Sequence, residues 1–103
     1  MLKPEVDRKM PGEVALLLAG KSKNLRLFKG YTRKTVSKMS GVPESTIKYF
    51  ETTGKVSLES ILKIAFVLDV LPSFEALFDL PEAGTIAEIE KRYETKLPRR
   101  GKK

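Results

Sequence analysis

The residues whose side chains could do chemistry are concentrated between Thr32 and Glu51, in the segment TRKTVSKMSGVPESTIKYFE. Helical spacing turns Arg33, Lys34 and Lys38 outward from its first half, and the second half carries further polar side chains. Such residues can form hydrogen bonds and ion pairs with phosphates and base edges. We therefore expect this segment to contact DNA, with its second half placed against the bases.

Catalysis is a poorer expectation, because the chain has neither cysteine nor histidine. Their absence removes the thiolate nucleophile, the disulfide framework, the zinc-finger ligand set and the usual imidazole base. No nucleophile–base pair or metal-ligand cluster stands out among the other residues. The sequence predicts a protein that is not an enzyme and that needs no metal or cofactor.

The charge of the chain favours an anionic partner. Its 103 residues carry a net charge of +7, and the isoelectric point is about 9.7. Residues 1–54 hold 11 Lys and Arg against 5 Asp and Glu, whereas residues 55–103 hold 9 against 8. Nucleic acid is the first partner that this excess predicts, with an acidic membrane or protein as the second and an idle basic surface as the plain alternative.

Two short helices with almost no loop between them must position the polar residues. Thr32 can cap the first helix, and Gly41, nine residues later, permits a left-handed turn. The Val42 side chain should be buried beneath the turn. The φ of Pro43 is fixed by its ring at a value that suits the start of the next helix. This arrangement is typical of a helix-turn-helix.

The rest of the chain predicts an all-α fold. After a loose arm (1–10), a five-helix domain occupies residues 11–80, and a further helix (Thr85–Tyr93) with a basic tail occupies residues 81–103. The first helix should end at Gly30, and Gly20 within it should mark a break or a close contact. The fourth helix should begin at Ser57 and end at Pro72. Ser73 should then cap the fifth helix. The inward stripe of the first helix is predicted to be Val14, Leu17, Leu18, Leu25 and Phe28, and that of the fourth is predicted to be Leu58, Ile61, Leu62, Ala65 and Leu68.

From about Leu18 to Leu77 the chain resembles the XRE family of helix-turn-helix regulators, which includes the lambdoid phage repressors. The shared features are Leu25-Arg26, Gly30, Thr32, Gly41-Val42, Thr46-Ile47, Glu51 and Gly54, at matching spacings. The resemblance implies a five-helix lambda-repressor-like domain and a transcriptional regulator, most simply a repressor.

In that family the third helix lies in the major groove, and its first residues reach the bases. The resemblance places residues 43–52 in this role and implies base contacts by Glu44, Ser45, Lys48 and Tyr49. Lys48 could donate to guanine, and Glu44 could accept from cytosine. Alternatively, Glu44 only stabilises the helix N-terminus, and Tyr49 packs or touches a phosphate.

The resemblance also implies phosphate contacts around this helix, by Arg33, Lys34, Lys38, Lys21, Lys23 and Thr46. Each lysine could instead be an ordinary solvated side chain. Arg33 stands where the family usually carries glutamine, so we expect stronger phosphate binding but less of the orientation that a glutamine amide provides. Arg26 and Glu51 are implied to form a partly buried structural ion pair between the first and third helices.

Apolar residues after the motif exceed what a small domain needs. They are Phe66, Val67, Val70, Leu71, Phe74 and Phe78. We expect them to form a dimer or partner interface, because a two-fold homodimer can read a palindromic operator in double-stranded DNA. Burial of the N-terminal segment against this surface is the alternative.

General similarity to HipB-like antitoxins implies autoregulation and a HipA-like kinase toxin as a further partner. The Thr85–Tyr93 helix and basic extension would then contact the toxin, although a disordered tail or phosphate contacts by Arg99, Arg100, Lys102 and Lys103 are alternatives.

The apolar run 14–19 is too short to span a membrane, and no cleavage signal follows it, so we expect a cytoplasmic location. A protein-interaction module that does not bind DNA specifically is the competing function.

Overall fold

Five α-helices, with no strand among them, make up residues 9–81, the part of the chain that the computed structural model describes. They are α1 (Pro11–Phe28), α2 (Arg33–Ser40), α3 (Glu44–Thr53), α4 (Leu58–Val67) and α5 (Leu71–Glu75). The all-α prediction is therefore confirmed for these residues. Nearly all of the predicted arm, the predicted helix Thr85–Tyr93 and the basic tail lie outside the described residues.

The ends of α1 follow from local chemistry. Pro11 has the fixed φ that suits a first helical turn, and Gly30 terminates the helix with a φ of +78°. The Tyr31 N–H donates to the Arg26 carbonyl at 3.0 Å and closes the final turn. The helix continues through Gly20, and a Cβ built there meets no atom within 4 Å. Gly20 therefore marks neither a break nor a close contact.

The face that α1 buries is not the leucine-rich face that the sequence predicts. Ala19 and Arg26 are its buried residues, whereas Phe28 is 86 % exposed. Of the predicted stripe, only Leu25 packs against the core. Val14, Leu17 and Leu18 remain 38 %, 44 % and 41 % exposed. Ala15 of α1 lies against Gly54, so the two helices approach closely at the end of α3.

Gly54, at the end of α3, lies where that approach is tightest. Its φ is +81°, and a Cβ built on it would lie 2.9 Å from the carbonyl carbon of Ala15 in α1. A side chain is therefore opposed both by the left-handed backbone and by the backbone of the neighbouring helix. Glycine at this position lets α1 rest directly on the end of α3.

The connection between α2 and α3 has the predicted local structure. The Thr32 hydroxyl accepts a hydrogen bond from the Thr35 N–H at 3.0 Å, which caps α2. Gly41 ends α2 with a φ of +80°, and Val42 is 2 % exposed beneath the turn. Pro43, with a φ of −57°, leads directly into α3. Only residues 41–43 separate the two helices, so they are held at a fixed angle.

The end of α4 differs from the prediction. Ser57 caps the start of α4 by accepting from the Ser60 N–H at 3.1 Å, as predicted. The helix ends at Val67, however, and Asp69 adopts a φ of +65° just beyond it. Pro72 does not end α4 but lies in the first turn of α5, and Ser73 lies within α5 and does not cap it. Aspartate tolerates the left-handed backbone better than most residues, so the chain reverses before the proline.

The core joins α2, α3 and α4 with one face of α1. Its buried members are Ala19, Val36, Val42, Ile47, Phe50, Ile64, Val67 and Leu68. In contrast to the prediction, Leu58 in the first turn of α4 is 69 % exposed. No helix within residues 9–81 has both the length and the apolar character that crossing a membrane requires.

Substitution of two glycines by alanine should have opposite effects on stability. Gly54→Ala should lower the free energy of unfolding by about 1–2 kcal/mol through its left-handed backbone, and the clash with Ala15 should add about 1–3 kcal/mol. Gly20→Ala should raise it by about 0.5–1 kcal/mol, because Gly20 is exposed inside a helix with free space around it. Urea unfolding of both variants measures this, and equal effects would contradict the packing described here.

Candidate nucleic-acid interface

The solvent face of α3 carries the polar residues that the resemblance assigns to base contacts. Ile47 and Phe50 are 1 % and 2 % exposed and hold the opposite face against the core. Burial of these two fixes the rotation of the helix about its axis. The exposed residues of the helix are Glu44, Ser45, Lys48, Tyr49 and, in its last turn, Thr52. The structure thus brings the four predicted base-contact residues together on one accessible surface.

The first turn of α3 leaves its backbone donors without a side-chain cap. Pro43 occupies the cap position and provides no hydrogen-bonding side chain. Glu44 stands in that turn, where a carboxylate is favoured by the helix dipole with or without DNA. Neither Glu44 nor Lys48 forms an ion pair within residues 9–81. Both charged groups are therefore available to a ligand.

Exposed lysines lie on the helices next to α3. Lys34 and Lys38 belong to α2, and Lys21 and Lys23 belong to α1. None of these four has an acidic partner within residues 9–81, whereas two other lysines do. Lys29 pairs with Asp69 and Lys63 with Glu59, at 3.1 and 3.3 Å. Thr46, the remaining predicted phosphate contact on α3, is half-buried.

Arg26 and Glu51, which the resemblance pairs, are in direct contact. The Nε and Nη2 atoms of Arg26 donate to the two carboxylate oxygens of Glu51 at 2.7 and 3.0 Å. Its Nη1 donates to the Tyr31 carbonyl at 2.9 Å. The Arg26 and Glu51 side chains are only 7 % and 2 % exposed. This bidentate ion pair links α1 to α3 in the interior of the protein.

Arg33 joins the same network, which the sequence did not predict. Its Nε donates to Glu51 Oε1 at 2.9 Å, and its side chain remains 30 % exposed. Glu51 therefore binds guanidinium groups from α1 and α2 together. A buried carboxylate therefore orients the Arg33 side chain from within the protein.

The environment of Glu51 lowers its pKa. Burial alone would raise the pKa of this carboxyl group, but hydrogen bonds from Arg26 and Arg33, with their positive charges, outweigh burial. The pKa therefore lies below the ordinary value of 4.5. Glu51 is ionised at neutral pH, and its negative charge is compensated on both sides.

Lys55 is a candidate contact that sequence reasoning missed. A groove of about 520 Å³ runs between α3 and the start of α4, and Lys55 is exposed in its lining. The other lining residues are Ser45, Thr46, Tyr49, Val56 and Ser57. A lysine directly after the glycine that ends α3 was the available signal. The basic surface thus reaches the far end of α3 as well as its start.

The apolar residues proposed as an interface have different environments. Phe66 and Phe78 are 69 % and 101 % exposed. Val67, in contrast, is 8 % exposed and belongs to the core, so it adds nothing to an outer surface of this domain. The half-buried members are Val70, Leu71 and Phe74.

Met39 extends this apolar surface onto α2. It is 55 % exposed and lines a groove of about 480 Å³ together with Phe66, Leu62, Leu71, Ser40 and the ion pair Glu59–Lys63. We call this groove the Phe66 groove. Met39 is not among the residues that the sequence predicts for this surface.

No protein-family model, curated protein or solved structure is significantly similar to this chain. Within residues 9–81, no cluster of three or more acidic side chains could hold a metal ion. The functional assignment therefore depends on the residues and their geometry.

The depressed pKa of Glu51 makes stability depend on pH in a specific direction. Because this pKa is lower in the folded than in the unfolded chain, the ionised carboxylate stabilises the fold fully above about pH 4.5. That contribution is lost as the pH falls through the lower, folded value. We expect the free energy of unfolding to fall more steeply below pH 4.5 in the wild type than in Glu51→Gln. Urea unfolding from pH 7 to 3 tests this, and parallel curves for the two proteins would contradict it.

Proposed function

We propose that this chain is a sequence-specific DNA-binding transcriptional regulator that acts through a helix-turn-helix formed by α2 and α3. The observation that carries the proposal is the outer face of α3, where Glu44, Ser45, Lys48 and Tyr49 are all exposed. A helix of this size fits the major groove, where each base pair has a distinct pattern of donors and acceptors. In this proposal residues 43–52 enter the groove.

The chemistry of each base-contact residue follows from its functional group. The Lys48 ammonium donates to O6 or N7 of guanine, and the Glu44 carboxylate accepts from N4 of cytosine. The Ser45 hydroxyl both donates and accepts, so it discriminates weakly. Tyr49 lies toward the Lys55 groove and can contact either a base or a phosphate.

Exposed cationic side chains before and after α3 in the chain support the same orientation on DNA. Lys34 and Lys38 precede α3 on α2, and Lys55 follows it. Contacts to phosphate carry no sequence information, but they fix the position of the helix in the groove. Lys21 and Lys23 add exposed positive charge on α1, where Lys21 lies beside α4 and α5. The net charge of +6 on residues 1–54 fits a polyanionic ligand.

The proposal includes a homodimer that reads a palindromic operator. Recognition helices of a two-fold dimer meet successive major grooves about 34–36 Å apart. The Phe66 groove supplies an apolar surface for this contact, since Phe66 and Met39 are both more than half exposed. Apolar side chains exposed side by side favour association.

Membership of the XRE family, repression and a role as antitoxin of a HipA-like kinase are finer proposals. They derive from the sequence resemblance alone. The segment assigned to the toxin, Thr85–Tyr93 with its basic extension, lies outside the described residues. Co-purification of the full chain with the product of an adjacent kinase-like gene tests the toxin partnership, and recovery of the chain alone would count against it.

Lys48→Ala should weaken specific DNA binding. Loss of a base contact should cost about 1–3 kcal/mol, or about 5- to 150-fold in affinity for the operator, and less for random duplex. Mobility shift with the protein's own promoter measures both affinities. Lys29→Ala is the matched control, because Lys29 lies just after α1 and pairs with Asp69.

A salt series separates specific binding from its alternative. Wild-type affinity should fall by about 0.9 log units per log unit of salt for each phosphate neutralised. A wild type that binds its promoter no better than random duplex at every salt concentration would overturn the regulator proposal. That outcome would favour a protein-interaction module.

Phe66→Glu should convert the dimer to a monomer. A carboxylate in the Phe66 groove would have to lose its water on association, and Lys63, the cation of this groove, is already paired with Glu59. Leu16→Glu is the control, since Leu16 is 54 % exposed on α1 and does not line this groove. Sedimentation at micromolar concentration should show a monomer for the first variant and a dimer for the second. A monomeric wild type would exclude the dimer.

A further inference from the structure

One carboxylate, Glu51, is shared by arginines from two different helices. Arg26 reaches it from α1, and Arg33 reaches it from the first position of α2. We propose that Glu51 is a positioning residue for DNA binding, which holds Arg33 so that its outer guanidinium nitrogens bind a backbone phosphate. This inference rests on the proposed function and assigns Glu51 a role beyond bracing the fold.

The way that Arg33 is bound leaves its outer edge open. A guanidinium group presents five N–H donors in a planar fork. The Nε of Arg33 uses one of them on Glu51 Oε1, at 2.9 Å. Neither Nη of Arg33 donates a hydrogen bond within residues 9–81. Four donors therefore remain on a side chain that is 30 % exposed.

The anchor itself is rigid. Arg26 binds both oxygens of Glu51, at 2.7 and 3.0 Å, and its third nitrogen is held by the Tyr31 carbonyl. With the Glu51 side chain 2 % exposed, water has little access to compete for the carboxylate. A hydrogen bond to such a fixed acceptor restricts the guanidinium plane of Arg33. Pre-organisation of this kind lowers the entropy lost when a ligand binds.

The charge of the network also favours an anion. Two guanidinium groups and one carboxylate leave one positive charge, and Arg33 is its exposed member. Lys34, adjacent on α2, is exposed and has no acidic partner within the described residues. Because phosphates are the anions that surround a helix in the major groove, a phosphate is the ligand that this geometry fits.

Substitutions of Arg33 distinguish a positioned guanidinium from a simple positive charge. Lysine keeps the charge but has a single ammonium group, which cannot donate to Glu51 and bind a phosphate with a planar pair of donors. Arg33→Lys should therefore lose at least about 10-fold in DNA affinity. Its affinity should lie closer to that of Arg33→Gln than to that of the wild type.

A double-mutant cycle tests the role of Glu51. Affinity for the promoter duplex is measured over a salt series for the wild type, Arg33→Gln, Glu51→Gln and the double variant, each checked for folding by its thermal transition. Each single variant should reduce the salt slope by about 0.9. The double variant should reduce it no further. Lys34→Gln is the control, because its effect on the slope should be the same with Glu51 or with Gln at position 51.

Each outcome bears on the proposal. Lower thermal stability with an unchanged salt slope would show that Arg33 and Glu51 only brace the fold, and full affinity in Arg33→Lys would show that charge alone is enough. Additive effects in the cycle would also overturn the inference, while leaving the DNA-binding function intact. A wild type that binds no duplex would overturn both. If Glu51→Gln does not fold, the comparison of Arg33→Lys with Arg33→Gln decides.

Discussion

The ionised carboxylate of Glu51 is the interaction on which the arrangement of the first three helices depends. Its side chain is 2 % exposed, and taking an ion out of water costs several kcal/mol unless its partners compensate. Two arginines compensate here, so α1 and α2 must both approach α3 at this point. Removal of either the carboxylate or Arg26 would leave charge buried without its partner, at a cost of about 3–5 kcal/mol.

The proposed recognition surface is a consequence of this packing and of the core beneath it. Ile47 and Phe50 turn one side of α3 inward, which leaves Lys48 and its polar neighbours outside. Gly54 allows α1 to lie against the end of α3, and the three-residue connection at Gly41 holds α2 against its start. A side chain can read a base only if its helix cannot rotate. The contacts that stabilise α3 are therefore the ones that orient its outer face.

Some apolar side chains stabilise the fold, and different ones remain outside for the proposed association. Val67 is buried in the core, whereas Phe66, its neighbour in the chain, points outward beside Met39. Adjacent helix positions differ by about 100°, so a single step along α4 changes the role of the side chain. The apolar surface left after folding lies partly on α2 and α4, in the Phe66 groove. It is separate from the polar face of α3, which allows one domain to offer two surfaces.

Local features of the sequence determined the caps at Thr32 and Ser57, the left-handed turns at Gly41 and Gly54, and the existence of the helices. These depend on residues within a few positions of one another, so the sequence contains all of the relevant information. Only the tertiary structure decided which face of α1 is buried, because close approach to α3 favoured Ala19 over the more apolar leucine face. The same holds for Arg33, whose partner lies 18 positions along the chain. This contact forms only when α2 and α3 pack together, so the spacing of residues within either helix does not predict it.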